Sequence, residues 1–179
     1  MRIMRAMRFL IPLLLVGALV VLATSFLSAR PSLQSAKKNV DVTWQPLATQ
    51  LGRRYMLLAA VDQKLHNVQG PTAQVVTQLD RALSRWSRAQ THASVREQVT
   101  DANSLEALGR RLATMPRLQS LTDAKAAMTT YANDRSYDGA SLFNAAVVRY
   151  HRDLQGPIRA PVASLLGYSE IPTFTAPQG

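Results

Sequence analysis

The residues Phe9–Ala29, FLIPLLLVGALVVLATSFLSA, form a run of 21 without a charge. As a helix at 1.5 Å per residue it extends roughly 30 Å, the thickness of a bilayer's hydrocarbon core. Phe9, Leu10, Leu15, Val21 and Ala29 supply its apolar surface. Pro12 and Gly17 are tolerated in membrane helices. The rival reading is a cleavable signal peptide, since Arg2, Arg5 and Arg8 precede the run and Ala23-Thr24-Ser25 offers small residues. The run exceeds the usual signal core of about 7–15 residues, so the expectation is an uncleaved single-pass anchor over 1–30. Its partner would be the lipid membrane, and its place the cytoplasmic membrane of a bacterial cell. Orientation turns on Arg2, Arg5, Arg8 and the free amino terminus against Arg30, Lys37 and Lys38. This narrow balance leans towards an extracytoplasmic domain.

The remaining 31–179 are enough for one domain with its own core. No stretch alternates with period two, and the mixture of Ala, Leu, Arg and Gln favours helices. Trp44, Leu51, Leu58 and Leu65 repeat every seven residues, with Leu47, Val61 and Val68 as a second row. Arg54 interrupts that row, and Pro46 is expected to disturb the helix near its start. Pro71 suits the first turn of the next helix, which carries Val75, Leu79, Leu83 and Trp86. A polar stretch follows to about Asn103, with Thr100, Asp101 and Asn103 as candidate caps. The third stripe is Leu105, Leu108, Leu112 and Met115, broken at Pro116 and resumed by Leu118, Leu121, Met128 and Tyr131. Asp138-Gly139 reads as a turn before a last helix bearing Phe143, Ala146, Val147, Tyr150 and Leu154. The predicted fold is all-α: a transmembrane helix followed by an antiparallel up-and-down four-helix bundle with coiled-coil-like spacing.

The net charge of +10 does not amount to a nucleic-acid signature. Four positive charges flank the apolar run, and the other 17 basic residues are scattered among 11 acidic ones. No nucleic acid is expected as a partner. Cysteine is absent, which excludes disulfides and thiolate metal sites. His66, His92 and His151 lack a second ligand one turn away, and Glu97, Glu106 and Glu170 fall in three different elements. Asp62 and Asp80 would pair only in one bundle register. With no P-loop, dinucleotide or nucleophile-elbow pattern either, the reading is no metal, no cofactor and no enzyme.

Two blocks of residues resemble the LemA family of bacterial membrane-associated proteins. The first is Trp44 followed by Gln50, Leu51, Arg53, Arg54, Tyr55 and Leu57. The second is Asn144, Val147, Tyr150, Gly167, Tyr168, Pro172 and Phe174, with Arg135 nine residues upstream. Gln45 and Pro46 stand where that family usually has acidic residues, and its I-P-N after the first block is missing. The resemblance implies an anchored helical bundle acting as a scaffold or interaction module with a protein partner. An extracytoplasmic sensor or ligand-binding bundle is the alternative.

On the residues themselves, Trp44 and Tyr55 are expected in the core. Arg53 and Arg54 are expected on a solvated face or paired with an acid on a neighbouring helix. Asn144 is read as a polar residue that fixes register, bonded to Arg135 or to a helix end. The tail with Tyr168 and Phe174 is expected to fold back as an aromatic plug.

Overall fold

The computed structural model describes residues 3–65, 71–135, 137–156 and 159–176, with side chains from residue 24 onward except at 25, 71 and 119. The protein is all-α. Helix α1 spans Ile3–Leu65, α2 Pro71–His92, α3 Val95–Ala113, α4 Pro116–Gln119, α5 Thr122–Asn133, α6 Ala140–Leu154 and α7 Arg159–Leu165. Among the described residues there is no strand. No helix of the described residues is long and apolar enough to cross a membrane. The side chains of Phe9, Leu10, Leu15, Gly17 and Val21, on which the expected span rests, lie outside the described residues, as does Val68 of the second row.

The chain forms two compact units. The larger comprises Asn39–Val148 and Ile171–Gly179. Here α1 presents an unbroken 3-4 series to the core: Val40, Trp44, Leu47, Leu51, Arg54, Leu58, Val61 and Leu65 are all buried. That repeat keeps one seam of the helix turned inward for seven turns. Helix α2 buries Val75, Val76, Leu79, Ala82, Trp86 and Ala89, whereas Leu83 is only half-buried. Pairings ascend together on α1 and α3, from Trp44 with Gln98 to Arg54 with Glu106, so the two helices run parallel. Against α6 they run in opposite senses, with Leu47 beside Gly139 and Trp44 beside Phe143.

The smaller unit comprises Met1–Lys38 and Arg149–Glu170. Its core is a cluster of Ala29 and Leu33 from α1 with Val162 and Ala163 from α7. Phe26, Leu154, Leu166 and Tyr168 pack around that cluster. Helix α7 ends on Gly167, whose φ of 71° is left-handed. The Gly167 N–H donates to the Ser164 carbonyl and the Tyr168 N–H to the Ala163 carbonyl, the two bonds of a Schellman motif. A side chain at 167 would be strained, so glycine is required for the chain to turn there.

Three local expectations are corrected. First, α1 runs through Pro46 without a break. Proline at 46 removes a donor to the carbonyl four residues back, but Val42 and Pro46 are both exposed, so water can satisfy it. Second, α3 starts at Val95, ten residues before Leu105, and its cap is Ser94 rather than Thr100, Asp101 or Asn103. Ser94 and Glu97 form a capping box: the Ser94 hydroxyl accepts from the Glu97 N–H, and the Glu97 carboxylate accepts from the Ser94 N–H. The Ser94 N–H and the Ser94 hydroxyl each donate to the Glu97 carboxylate at 2.9 Å and hold it below its ordinary pKa. Third, the segment after Gly156 contains the extra helix α7.

Replacing Ser94 with alanine is expected to cost about 1 kcal/mol. Urea denaturation followed by circular dichroism measures it, and an unchanged midpoint would mean that the box contributes nothing.

Candidate functional site

The polar centre of the larger unit is built on Arg54, which occupies a seam position of α1 and is 2 % exposed. A long cation in that position must carry its charge inside and needs an acid there. Glu106 of α3, fully buried, supplies it: Arg54 Nε donates to Oε1 at 2.9 Å and Nη2 to Oε2 at 3.3 Å. Arg54 Nη1 donates to the carbonyls of Tyr131 at 2.6 Å and Asp134 at 2.5 Å. Tyr131 stands in the last turn of α5 and Asp134 is the residue that caps it, so the cation also meets the negative end of that helix.

Two tyrosines complete the cluster. Tyr131 and Tyr137 direct their hydroxyls at Glu106 Oε2, at 3.0 and 3.4 Å. Their rings flank the guanidinium, with centroids 3.8 and 4.8 Å from its carbon. Gly109 makes the approach possible, since a Cβ there would stand 2.5 Å from the Tyr131 hydroxyl oxygen. Burial opposes the Arg54 charge, yet the hydrogen bond and field of Glu106 outweigh it and raise the pKa further. Burial, and then the negative Glu106, push the Tyr131 and Tyr137 hydroxyls far above the usual phenol range. Tyr55, whose hydroxyl donates to the Ala102 carbonyl at 3.1 Å, is raised for the same reasons.

A cleft of about 140 Å³ opens beside the pair, lined by Arg110, Arg135, Met128, Gly109 and Tyr137 among others. Glu106 accepts four hydrogen bonds, and Arg54 donates four. Three of the four fall on Glu106 Oε2 and one on Oε1, so the carboxylate is fixed by donors of its own cluster. Among the described residues no group of three or more His, Asp or Glu could hold a metal ion.

The second constellation is aromatic. Trp44 is buried with Phe143, Trp86 and Phe174 at 4.9, 6.5 and 6.5 Å between ring centroids, and its indole N–H donates to Gln98 Oε1 at 2.6 Å. Tyr55 stands edge-on to Trp86 at 5.1 Å. The tail that delivers Phe174 is held by side-chain amides. Asn144 donates to the Phe174 carbonyl at 2.9 Å and accepts from the Phe174 N–H at 2.8 Å. Asn103 does the same with the Thr173 carbonyl and the Thr175 N–H, at 2.9 and 2.8 Å. The Asn144 partner is therefore extended backbone rather than Arg135 or a helix end. An amide carries one acceptor and one donor side by side and so matches a peptide unit. Asn103 was the residue overlooked, because its proximity to a helix start suggested a cap.

The other expected positions divide by exposure. Leu51 and Val147 are core, and Gln50, Leu57 and Pro172 are half-buried. Arg53 is exposed, while Arg135 lies exposed at the mouth of the cleft. In the smaller unit the Tyr150 hydroxyl donates to the Ser169 carbonyl at 3.0 Å, and Tyr168 packs on the α1–α7 cluster. Asp62 and Asp80 differ, the first buried and the second exposed. No protein-family model, curated protein or solved structure matches the chain.

Breaking the pair from one side, as Glu106→Gln or Arg54→Met, is expected to cost about 3–5 kcal/mol by urea denaturation, because a buried charge loses its partner. The double variant Arg54→Met/Glu106→Gln should cost clearly less than the two single losses added together. Losses that simply add would mean that the two residues do not interact.

Stability should also fall as pH rises past about 10, where unfolded tyrosines release protons that folded Tyr55, Tyr131 and Tyr137 retain. Below that pH the contribution is fully present. Phenolate absorbance recorded with circular dichroism tests this: ionisation of these residues with helicity intact would contradict it.

Proposed function

We propose that this chain is a LemA-type single-pass membrane protein whose helical domain is a scaffold or interaction module with no reaction of its own. The observation that carries the reading is that one helix, α1, contains both the uncharged run Phe9–Ala29 and the buried seam Val40–Leu65. The two blocks that resemble the family give it further support. Trp44 from the first packs against Phe174 from the second, and Asn144 holds that tail. The parallel pairing of α1 with α3, and the opposed sense of α1 and α6, favour an antiparallel up-and-down four-helix bundle. The polar centre, whose ion pair is bonded within the cluster, favours a module that holds its shape over one that turns over a substrate.

Localisation follows from the anchor. The chain resides in the cytoplasmic membrane, with the domain on the extracytoplasmic side by the Arg2, Arg5 and Arg8 cluster. The full-length protein is expected to stay with membranes through alkaline carbonate extraction. A C-terminal phosphatase fusion, active only outside the cytoplasm, reads the side, and an inactive fusion on a stable protein reverses the orientation.

Crosslinking in native membranes followed by pull-down tests the scaffold reading. One or a few partners should recur, and repeated recovery of none would count heavily against it.

A second reading, a ligand-binding sensor, is favoured by a groove of about 440 Å³ lined by Asp41, Gln45, Thr49, Gln90 and Gln98 beside Trp44. Its volume is in the range of small-molecule sites, but Gln45, Thr49 and Gln90 are exposed, so it is an open surface groove. A small molecule that raises the melting temperature of wild type but not of a Gln98→Leu variant would move the assignment to this reading.

A further inference from the structure

We infer that α7 lies in the headgroup layer of an anionic bilayer, beside the end of the membrane run, so that the chain grips the lipid surface at two places. The inference rests on reading Phe9–Ala29 as a membrane anchor, and its observations come from the smaller unit alone.

The first observation is depth. Helix α7 meets α1 at Ala29 and Leu33. Ala29 is the last residue of the uncharged run, and Leu33 is one turn beyond, about 6 Å along the axis. The headgroup layer on one side of a bilayer is roughly 5–8 Å thick. A helix docked on that turn therefore stands at the lipid–water boundary if the run spans the membrane.

The second observation is what the unit leaves uncovered. Leu165 of α7 is 78 % exposed and Leu27 of α1 is 74 % exposed, the two most exposed large apolar side chains among the described residues. A lone exposed leucine needs no explanation. Here both belong to the unit that contains the end of the run, and Tyr168, which packs on the same small cluster, is of the aromatic type enriched at membrane interfaces.

The third is charge. The unit holds nine basic and two acidic residues, a net of +7 out of the chain's +10. Without Arg2, Arg5 and Arg8, which precede the run and so lie across the bilayer, the unit holds six basic residues, Arg30, Lys37, Lys38, Arg149, Arg152 and Arg159, and two acidic ones, Asp153 and Glu170, a net of +4. Arg159 is paired with Asp153. Basic side chains beside an apolar patch are the combination that anionic lipid surfaces attract. A protein partner would satisfy the two leucines but would give no reason for the net positive charge beside them.

The test uses the full-length chain, which has no cysteine to remove. Single variants Leu165→Cys, Val20→Cys and Gln78→Cys are labelled with an environment-sensitive fluorophore and reconstituted into phosphatidylcholine vesicles with or without phosphatidylglycerol. Lipids spin-labelled near the headgroup or deep in the acyl chains serve as quenchers. The label at 165 should be quenched by headgroup-placed spins several-fold more than the label at 78, an exposed position of α2. The effect should grow with phosphatidylglycerol and shrink as salt is raised. Quenching at 165 no greater than at 78, with the label at 20 quenched by deep spins, overturns the inference and leaves the anchor standing. Absence of deep quenching at 20 overturns the anchor and this inference with it. Strong quenching at 165 that ignores lipid charge overturns the electrostatic part.

Discussion

The buried ion pair between Arg54 and Glu106 is the constraint to which the larger unit is organised. Two charges removed from water are costly unless every remaining lone pair and proton finds a partner. The partners come from four places: α1, α3, the carbonyl end of α5 and the segment carrying Tyr137. Apolar side chains accept many slightly shifted packings, but a guanidinium bonded to two carbonyls and a carboxylate does not. A one-turn slip of α1 along its seam would place Leu51 or Leu58 opposite Glu106 and leave the carboxylate unpaired. The 3-4 repeat makes such slips otherwise cheap, because every neighbouring position is also apolar. The pair is thus the element that selects one register from a set of similar ones, while the surrounding leucines supply most of the cohesion.

The helical class and the seam of α1 were legible because period is a property of residue order alone. Arg54 was read as an interruption of the row, on a solvated face or paired with an acid on a neighbouring helix, and the structure shows the second. That Glu106 is this acid was not legible, since three glutamates in three elements differ only by tertiary register. The start of α3 was legible in principle: Ser94-Val95-Arg96-Glu97 has capping-box spacing, but the polar stretch around it masked the weak apolar period of Val99 and Ala102. Proline at 46 misled, because its helix-breaking cost depends on whether the freed carbonyl is wet, and exposure is not written in local sequence. Asn103 was read as a helix cap and Asn144 as a register-fixing residue bonded to Arg135 or a helix end, although their partners are tail backbone 70 and 30 positions away in the chain.

The tail shows how a short irregular segment can be held without a sheet. Residues Thr173–Thr175 are extended, and extended backbone leaves its N–H and carbonyl groups unpaired unless something like a neighbouring strand is present. Two asparagines from different helices stand in for that strand, and Phe174 between them fills the face of Trp44. The hydrogen bonds set direction, and the aromatic contact supplies burial. Neither would suffice alone, since an amide pair exposed to water contributes little net free energy.

The position of the two tryptophans has a consequence for how this molecule can be watched. Trp44 and Trp86, the only indoles in the chain, lie in one buried cluster of the larger unit. Intrinsic tryptophan emission therefore reports on Asn39–Val148 and its tail, and is blind to Met1–Lys38 and Arg149–Glu170. A single sharp fluorescence transition is not evidence that the whole chain unfolds as one. Coincidence with helical circular dichroism is the stricter criterion of two-state behaviour, and in this protein the difference between the two signals would isolate the smaller unit spectroscopically.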